Sequence, residues 1–123
     1  FPMTRRFYKV SDLDGDDINV IFPNAIRLDT TQILGVEIEV EEVEFIPSDY
    51  PKTYLNAAGQ RMYAVFTFRT VPQPQFADPG AGLLYSAGCG SPAVGKVLDK
   101  AKRLGRLPLR ITISNTRKGY AVT

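Results

Sequence analysis

Histidine is missing from all 123 residues, and cysteine occurs once, as Cys89. The first absence removes the commonest general base and the commonest zinc ligand. The second excludes an internal disulfide and makes a reducing compartment the expected setting. A cysteine nucleophile ordinarily works beside a histidine, so Cys89, between Gly88 and Gly90, reads as a small residue in a tight turn. No apolar run approaches the roughly 18 residues of a membrane-spanning helix, and no signal-peptide layout opens the chain, so a cytoplasmic protein without a membrane partner is expected. The first residue is Phe1, not Met, which would suit a domain taken from a longer chain. Acids are also scarce late in the sequence: after Asp49 only Asp78 and Asp99 remain.

That last scarcity exposes an asymmetry that the net charge of +2 conceals. Residues 1–50 carry 4 Lys/Arg against 11 Asp/Glu, a balance of −7, whereas residues 51–123 carry 11 against 2, a balance of +9. If the halves segregate in space, the basic one can steer an anionic partner onto one surface; if they interleave, they cancel. The sequence leaves both open. With 44% hydrophobic residues, the chain has enough apolar material for one core, and a single domain over 1–123 is expected.

Alternation of apolar and polar residues supplies most of the predicted elements. Arg5–Val10 and Asn19–Leu28, the latter interrupted by Pro23, are candidate strands around Asp12-Leu-Asp-Gly-Asp-Asp17, a cluster of turn formers. This cluster superficially matches a calcium loop, but its Gly falls early and Pro23 stands where the closing Glu belongs, so it reads as a solvated turn. Val36, Ile38 and Val40 alternate with Glu37, Glu39 and Glu41, which predicts a half-buried strand. At Glu41-Glu42 the alternation slips by one and resumes at Val43 and Phe45, the mark of a β-bulge that bends the strand. Pro47–Gln60 is turn-rich. Arg61–Val71 is a second β-branched and aromatic strand, 72–82 a proline- and glycine-rich loop, and Gly82–Ala87 a short third strand. Ser91-Pro92 reads as an N-cap followed by proline at the first helical position. Val94, Val97, Leu98, Ala101 and Leu104 then fall at helical spacing up to Gly105, with Lys96, Lys100 and Arg103 on the other face. Leu107, Leu109, Ile111 and Ile113 alternate as a fourth strand; Asn115–Gly119 is a turn; Tyr120–Thr123 is a fifth.

The residues that carry chemistry are those of a binder. Gly88-Cys89-Gly90-Ser91 leads into a helix N-terminus and can offer backbone N–H groups to a phosphate, but no Lys-Ser or Lys-Thr pair of a nucleotide-binding loop follows, so a helix-entry turn is favoured. Glu37, Glu39 and Glu41 share a strand face without acidic partners elsewhere and read as a solvated or edge face. No catalytic set and no cofactor is expected. Basic and aromatic residues interleave on the later strands: Arg61, Tyr63 and Arg69 occupy one phase of the second strand, opposite Met62, Ala64, Phe66 and Phe68, and Tyr85, Arg110, Arg117, Lys118 and Tyr120 extend the mixture. Aromatic faces stack on unpaired bases whatever their identity, while Arg and Lys pair with phosphates.

From residue 34 the order strand, strand, strand, helix, strand, strand resembles the oligonucleotide/oligosaccharide-binding (OB) fold, a five-stranded Greek-key barrel with a helix between strands three and four. The run from Ser91-Pro-Ala-Val through Leu107-Pro-Leu-Arg-Ile-Thr-Ile to Lys118-Gly-Tyr120 is similar to the C-terminal half of small single-stranded DNA-binding proteins of phages and mobile elements. Residues 1–31 have no counterpart in a minimal domain of this kind and would form an N-terminal β extension to a barrel over 32–123, and the acidic C-terminal tail common in such proteins is not in the sequence. The resemblance implies a cleft across strands two and three, flanked by the loops between strands one and two and between strands four and five. Its residues would be Tyr54, Arg61, Tyr63, Arg69, Tyr85, Arg117 and Lys118, to which the interleaved pattern adds Arg110 and Tyr120. It further implies a homo-oligomer that coats single-stranded DNA in replication or recombination with little sequence preference, RNA remaining an open alternative, in the host cytoplasm if the chain is phage-encoded. The competing expectation is a protein–protein or virion assembly module, in which the acidic half of one copy meets the basic half of another.

Overall fold

A computed structural model describes residues 21–71 and 83–123. The expected strand at Arg5–Val10, the Asp12–Asp17 turn and the loop at 72–82 lie outside the described residues. Within them the chain is mainly β with one α-helix. The strands are β1 (Ile26–Arg27), β2 (Glu37–Pro47), β3 (Tyr54–Leu55), β4 (Arg61–Thr70), β5 (Tyr85–Cys89), β6 (Leu109–Thr116) and β7 (Gly119–Val122). Helix α1 spans Pro92–Arg103, between β5 and β6, and a short 3-10 helix covers Thr30–Ile33.

The strands form an open seven-stranded sheet in the order β1-β5-β4-β2-β6-β7, with β3 paired to β4. All pairings are antiparallel except that of β1 with β5. One short strand, β3, is thus added to those expected, and of the described part of the candidate strand at 19–28 only Ile26–Arg27 is realised. The turn-rich stretch before residue 61 hides β3, which returns through a turn in which the Asn56 side-chain oxygen accepts from the N–H groups of Ala58 and Gln60. The third strand sits further along than expected, at Tyr85–Cys89, so Cys89 is a buried strand residue and not part of a tight turn.

The bulge lies where the alternation slips. Val40 pairs with Phe68 and Glu42 with Thr67, leaving Glu41 as the extra residue. The insertion keeps Ile38, Val40 and Val43 on one buried face although their spacing changes from two to three. These side chains meet Ala64, Phe66 and Phe68 of β4, Tyr85, Ala87 and Cys89 of β5, and Ile111 and Ile113 of β6. Helix α1 adds Val94 and Leu98 to the same core. Its entry is capped by Ser91, whose hydroxyl accepts from the Val94 N–H. It ends in a Schellman arrangement, with Gly105 at φ +65° donating to the Lys102 carbonyl and Arg106 to that of Ala101. Leu104, expected on the apolar face, is more than half exposed, because the chain leaves the helix at that residue.

The segment before β2 joins the two ends of the sheet. The Leu28 N–H donates to the Ser86 carbonyl, the Thr30 hydroxyl to the Gly88 carbonyl of β5, and the Gly35 N–H to the Ile113 carbonyl of β6. Ile33 is thereby buried in the core. No described helix is long and apolar enough to cross a membrane.

Candidate functional site

The charged residues of the sheet locate the site by elimination. Strand β2 lies between β4 and β6, so of the two expected settings for the glutamate row, a solvated or an edge face, the edge is not realised: the row is on an inner strand with Glu37 exposed and Glu39 and Glu41 half-buried. Glu39 stands directly across from Arg69 on one side and Arg110 on the other. Arg69 Nε donates to Glu41 Oε2 at 2.8 Å, and Arg110 Nε lies 3.7 Å from Glu39 Oε1. Lys102 of α1 donates to the Val43 carbonyl and lies 3.4 Å from Glu44. The acidic first half and basic second half therefore interleave along β2, and much of the sequence asymmetry cancels in place. Exposed pairs of this kind contribute little stability each, but they occupy Arg69 and Arg110.

Two expected aromatics are also committed elsewhere. Tyr85 is 8% exposed and its ring stacks on Phe68 at a centroid distance of 5.6 Å, which makes it a core residue. The Tyr54 ring lies against Phe45, 5.8 Å between centroids, and its hydroxyl donates to Asp99 Oδ2 at 2.5 Å, tying β3 to α1. Burial and this bond to Asp99 raise the Tyr54 phenol above its ordinary pKa. The β4 face carrying Arg61, Tyr63 and Arg69 is not open along its length, since Val65 and Thr67 between them are fully buried. Residues Ile21–Ala25 border a cavity over Thr67 together with Glu42 and Leu84.

Tyr63 and Tyr120 are brought together. They line a groove of about 500 Å³ with Asp29, Thr30, Thr31, Gly88, Cys89, Gly90 and Ser91, within which the Thr30 hydroxyl is bonded to the Gly88 carbonyl. The groove exists because β5 and β7 are not paired and the sheet curls until they face each other across the Thr30–Ile33 turn. Glycines at 88 and 90 keep the β5 wall low; at Gly90 a Cβ would come within 2.9 Å of the Thr53 methyl and 3.4 Å of the Tyr63 ring. Burial raises the Cys89 thiol above its ordinary pKa, which makes it a wall and a poor nucleophile.

Cations neighbour the groove-lining residues along the chain. Arg117 and Lys118 form the exposed turn between β6 and β7, two residues from Tyr120, with the turn held by Thr116, whose hydroxyl accepts from the Lys118 N–H and donates to the Gly119 carbonyl. At the Gly90 end, the Tyr54 N–H donates to the Gly90 carbonyl, fixing the 48–53 loop beside the groove. Arg61 donates to the Pro51 carbonyl and Thr53 to that of Tyr50, so Lys52 and a 71%-exposed Tyr50 project from a braced turn. Sequence reasoning missed Tyr50, whose signal was an aromatic among turn formers with no strand alternation to bury it. It also missed Asp29 and Thr31, whose position depends on how the segment before β2 folds back over the sheet. Among the described residues no three Cys, Asp or Glu side chains converge as a metal site.

Comparison with protein-family models, curated proteins and solved structures gives no match. The groove's own chemistry therefore carries the functional reading.

Proposed function

We propose that this chain is a non-enzymatic binder of single-stranded nucleic acid, DNA in the first instance, acting in replication or recombination. The observation that carries the reading is the groove lined by both Tyr63 and Tyr120; the Arg117-Lys118 turn lies two residues from Tyr120, and the loop carrying Lys52 is tied to the groove through the Tyr54–Gly90 bond. Unpaired bases stack on the tyrosines while phosphates meet the cations of these neighbouring turns. A duplex, whose bases are already stacked and enclosed, gains only the second contribution. The topology supports the same reading. Without the two-residue strands, the order β5-β4-β2-β6-β7 with α1 between β5 and β6 in the chain is compatible with an OB barrel left open between its third and fifth strands. The groove occupies that opening, and the loops that flank it are the two that would border an OB cleft.

Fluorescence anisotropy of a labelled, unstructured mixed-sequence oligonucleotide, with the matching duplex as competitor, tests the proposal. Single strands are expected to bind tightly and the duplex weakly. Tyr63→Ala should weaken single-strand binding about tenfold, the value of one lost stacking partner, with an unchanged melting profile confirming the fold. Absence of binding at micromolar protein, combined with concentration-dependent self-association, would favour the assembly-module reading.

A further inference from the structure

The groove is uneven in charge. The charged side chain lining it, among the described residues, is the carboxylate of Asp29, and the nearby cations belong to neighbouring turns. Asp29 sits at the start of the Thr30–Ile33 turn, where its backbone N–H is held by the Gln32 side chain at 2.8 Å. Its side chain is 69% exposed and its nearest cation is Arg27, at 3.8 Å, beyond hydrogen-bond length. The carboxylate is thus held by the capping box, in which it accepts from the Gln32 N–H, and by Arg27, which leaves its remaining lone pairs for the groove. Thr31 beside it is exposed, while the Thr30 hydroxyl already donates to Gly88.

A carboxylate in this position repels phosphate and accepts hydrogen bonds. On the single-strand reading, phosphates meet the cations of the neighbouring turns, so the part of a nucleotide that enters the groove is its base, edge toward Asp29 and face toward a tyrosine. Stacking is indifferent to base identity, but an acceptor-only group is not. Cytosine presents an exocyclic amine at C4, which donates to a carboxylate; thymine presents a carbonyl there, which meets the carboxylate lone pair to lone pair. We infer that Asp29 is a specificity-determining residue of the groove, biasing single-strand binding toward bases with an exocyclic amine, cytosine over thymine among the pyrimidines. This rests on the single-strand reading and adds to it a base-dependent term that tyrosines and the neighbouring cations cannot supply.

The test compares labelled oligo(dC) and oligo(dT) of equal length in anisotropy titrations at pH 8, where oligo(dC) stays unfolded. The full chain is used as wild type, Asp29→Asn and Glu42→Gln. Asparagine retains the capping ability of the position and offers the base both a donor and an acceptor, so the turn is kept while the discrimination is lost. Glu42→Gln removes the same charge from a residue outside this groove. The wild type is expected to prefer oligo(dC) on the order of tenfold. Asp29→Asn should bring the ratio near one, mainly by tightening oligo(dT), and Glu42→Gln should leave the ratio unchanged. Equal binding of both homopolymers by the wild type would overturn the role of Asp29 and leave the single-strand reading intact. A preference that persists in Asp29→Asn, or that Glu42→Gln abolishes equally, would also overturn it. Failure of both homopolymers to bind would overturn the single-strand reading itself.

Discussion

Tyr54 shows how a residue with the right chemistry for a ligand can be spent on the fold. As a tyrosine in a loop beside basic residues it had the composition of a stacking platform, but its hydroxyl bonds to Asp99 and its ring lies over Gly95. Tyr54→Phe keeps the ring and removes the donor, leaving Asp99 with Arg103 at 3.4 Å. A hydrogen bond to a carboxylate, discounted for partial exposure, makes the expected loss about 1 kcal/mol at neutral pH, read from urea unfolding. The pH dependence has a definite sign. The folded-state pKa of this phenol is raised, so its contribution is fully present below the unfolded value of about 10 and is lost as pH climbs through the higher folded one. The stability difference between wild type and Tyr54→Phe should therefore shrink in alkaline solution. A constant difference across that range would mean that the hydroxyl is not bonded to Asp99. Nucleic-acid affinity should be unaffected, in contrast with Tyr63→Ala.

At the scale of elements, α1 and β3 are held together through the absence of a side chain. A Cβ on Gly95 would lie 2.5 Å from Cγ and 2.6 Å from Cβ of Tyr54, the root of the ring and not a flexible tip. Alanine gains about 1 kcal/mol over glycine in helix propensity, whereas forcing a methyl into a packed contact costs about 1–3 kcal/mol. The contact is tight enough for the second effect to win, so Gly95→Ala should lower stability, by about 1 kcal/mol net in denaturant unfolding. A stabilised variant would show that β3 does not pack on the helix. The sequence displays Gly95 only as a glycine inside an amphipathic helix. The Ser91 cap, the Gly105 stop, the Glu41 bulge and four of the long strands were legible, because each is a local pattern of spacing or turn chemistry. The third strand was displaced, since Tyr85–Cys89 contains serine and glycine and is covered on both faces, Ser86 being as buried as Ala87. Strand β3 was invisible because two residues carry no period, and β1 falls within the longer strand expected at 19–28. The groove was legible in part. Tyr63, Tyr120, Arg117 and Lys118 announce themselves by residue type, but the loss of Arg69 and Arg110 to Glu41 and Glu39 depends on strand neighbours that no local pattern specifies.

For the whole molecule, the interleaving of charge sets how binding should respond to salt. Eleven Lys and Arg follow residue 50, and if all met phosphates the salt dependence would be very steep. Arg69, Arg110, Lys102 and Arg103 are instead engaged with Glu41, Glu39, Glu44 and Asp99, and Lys96, Lys100 and Arg106 belong to the helix and its exit. Among the described residues, the cations left for a strand in the groove are Lys52, Arg61, Arg117 and Lys118. A single strand releases about 0.7 counterion per phosphate neutralised, so four contacts predict a slope of log K against log salt of about −3. Removing both turn cations in Arg117→Ala/Lys118→Ala should bring the slope to about −1.5, whereas Lys96→Ala/Lys100→Ala on the helix should leave it unchanged. Anisotropy titrations at several salt concentrations measure all three slopes. The helix pair controls for net charge, since both double variants lose two positive charges and only one loses them at the groove. If the two fell equally, association would be governed by the protein's overall field, and the groove would have no claim to be where the strand lies.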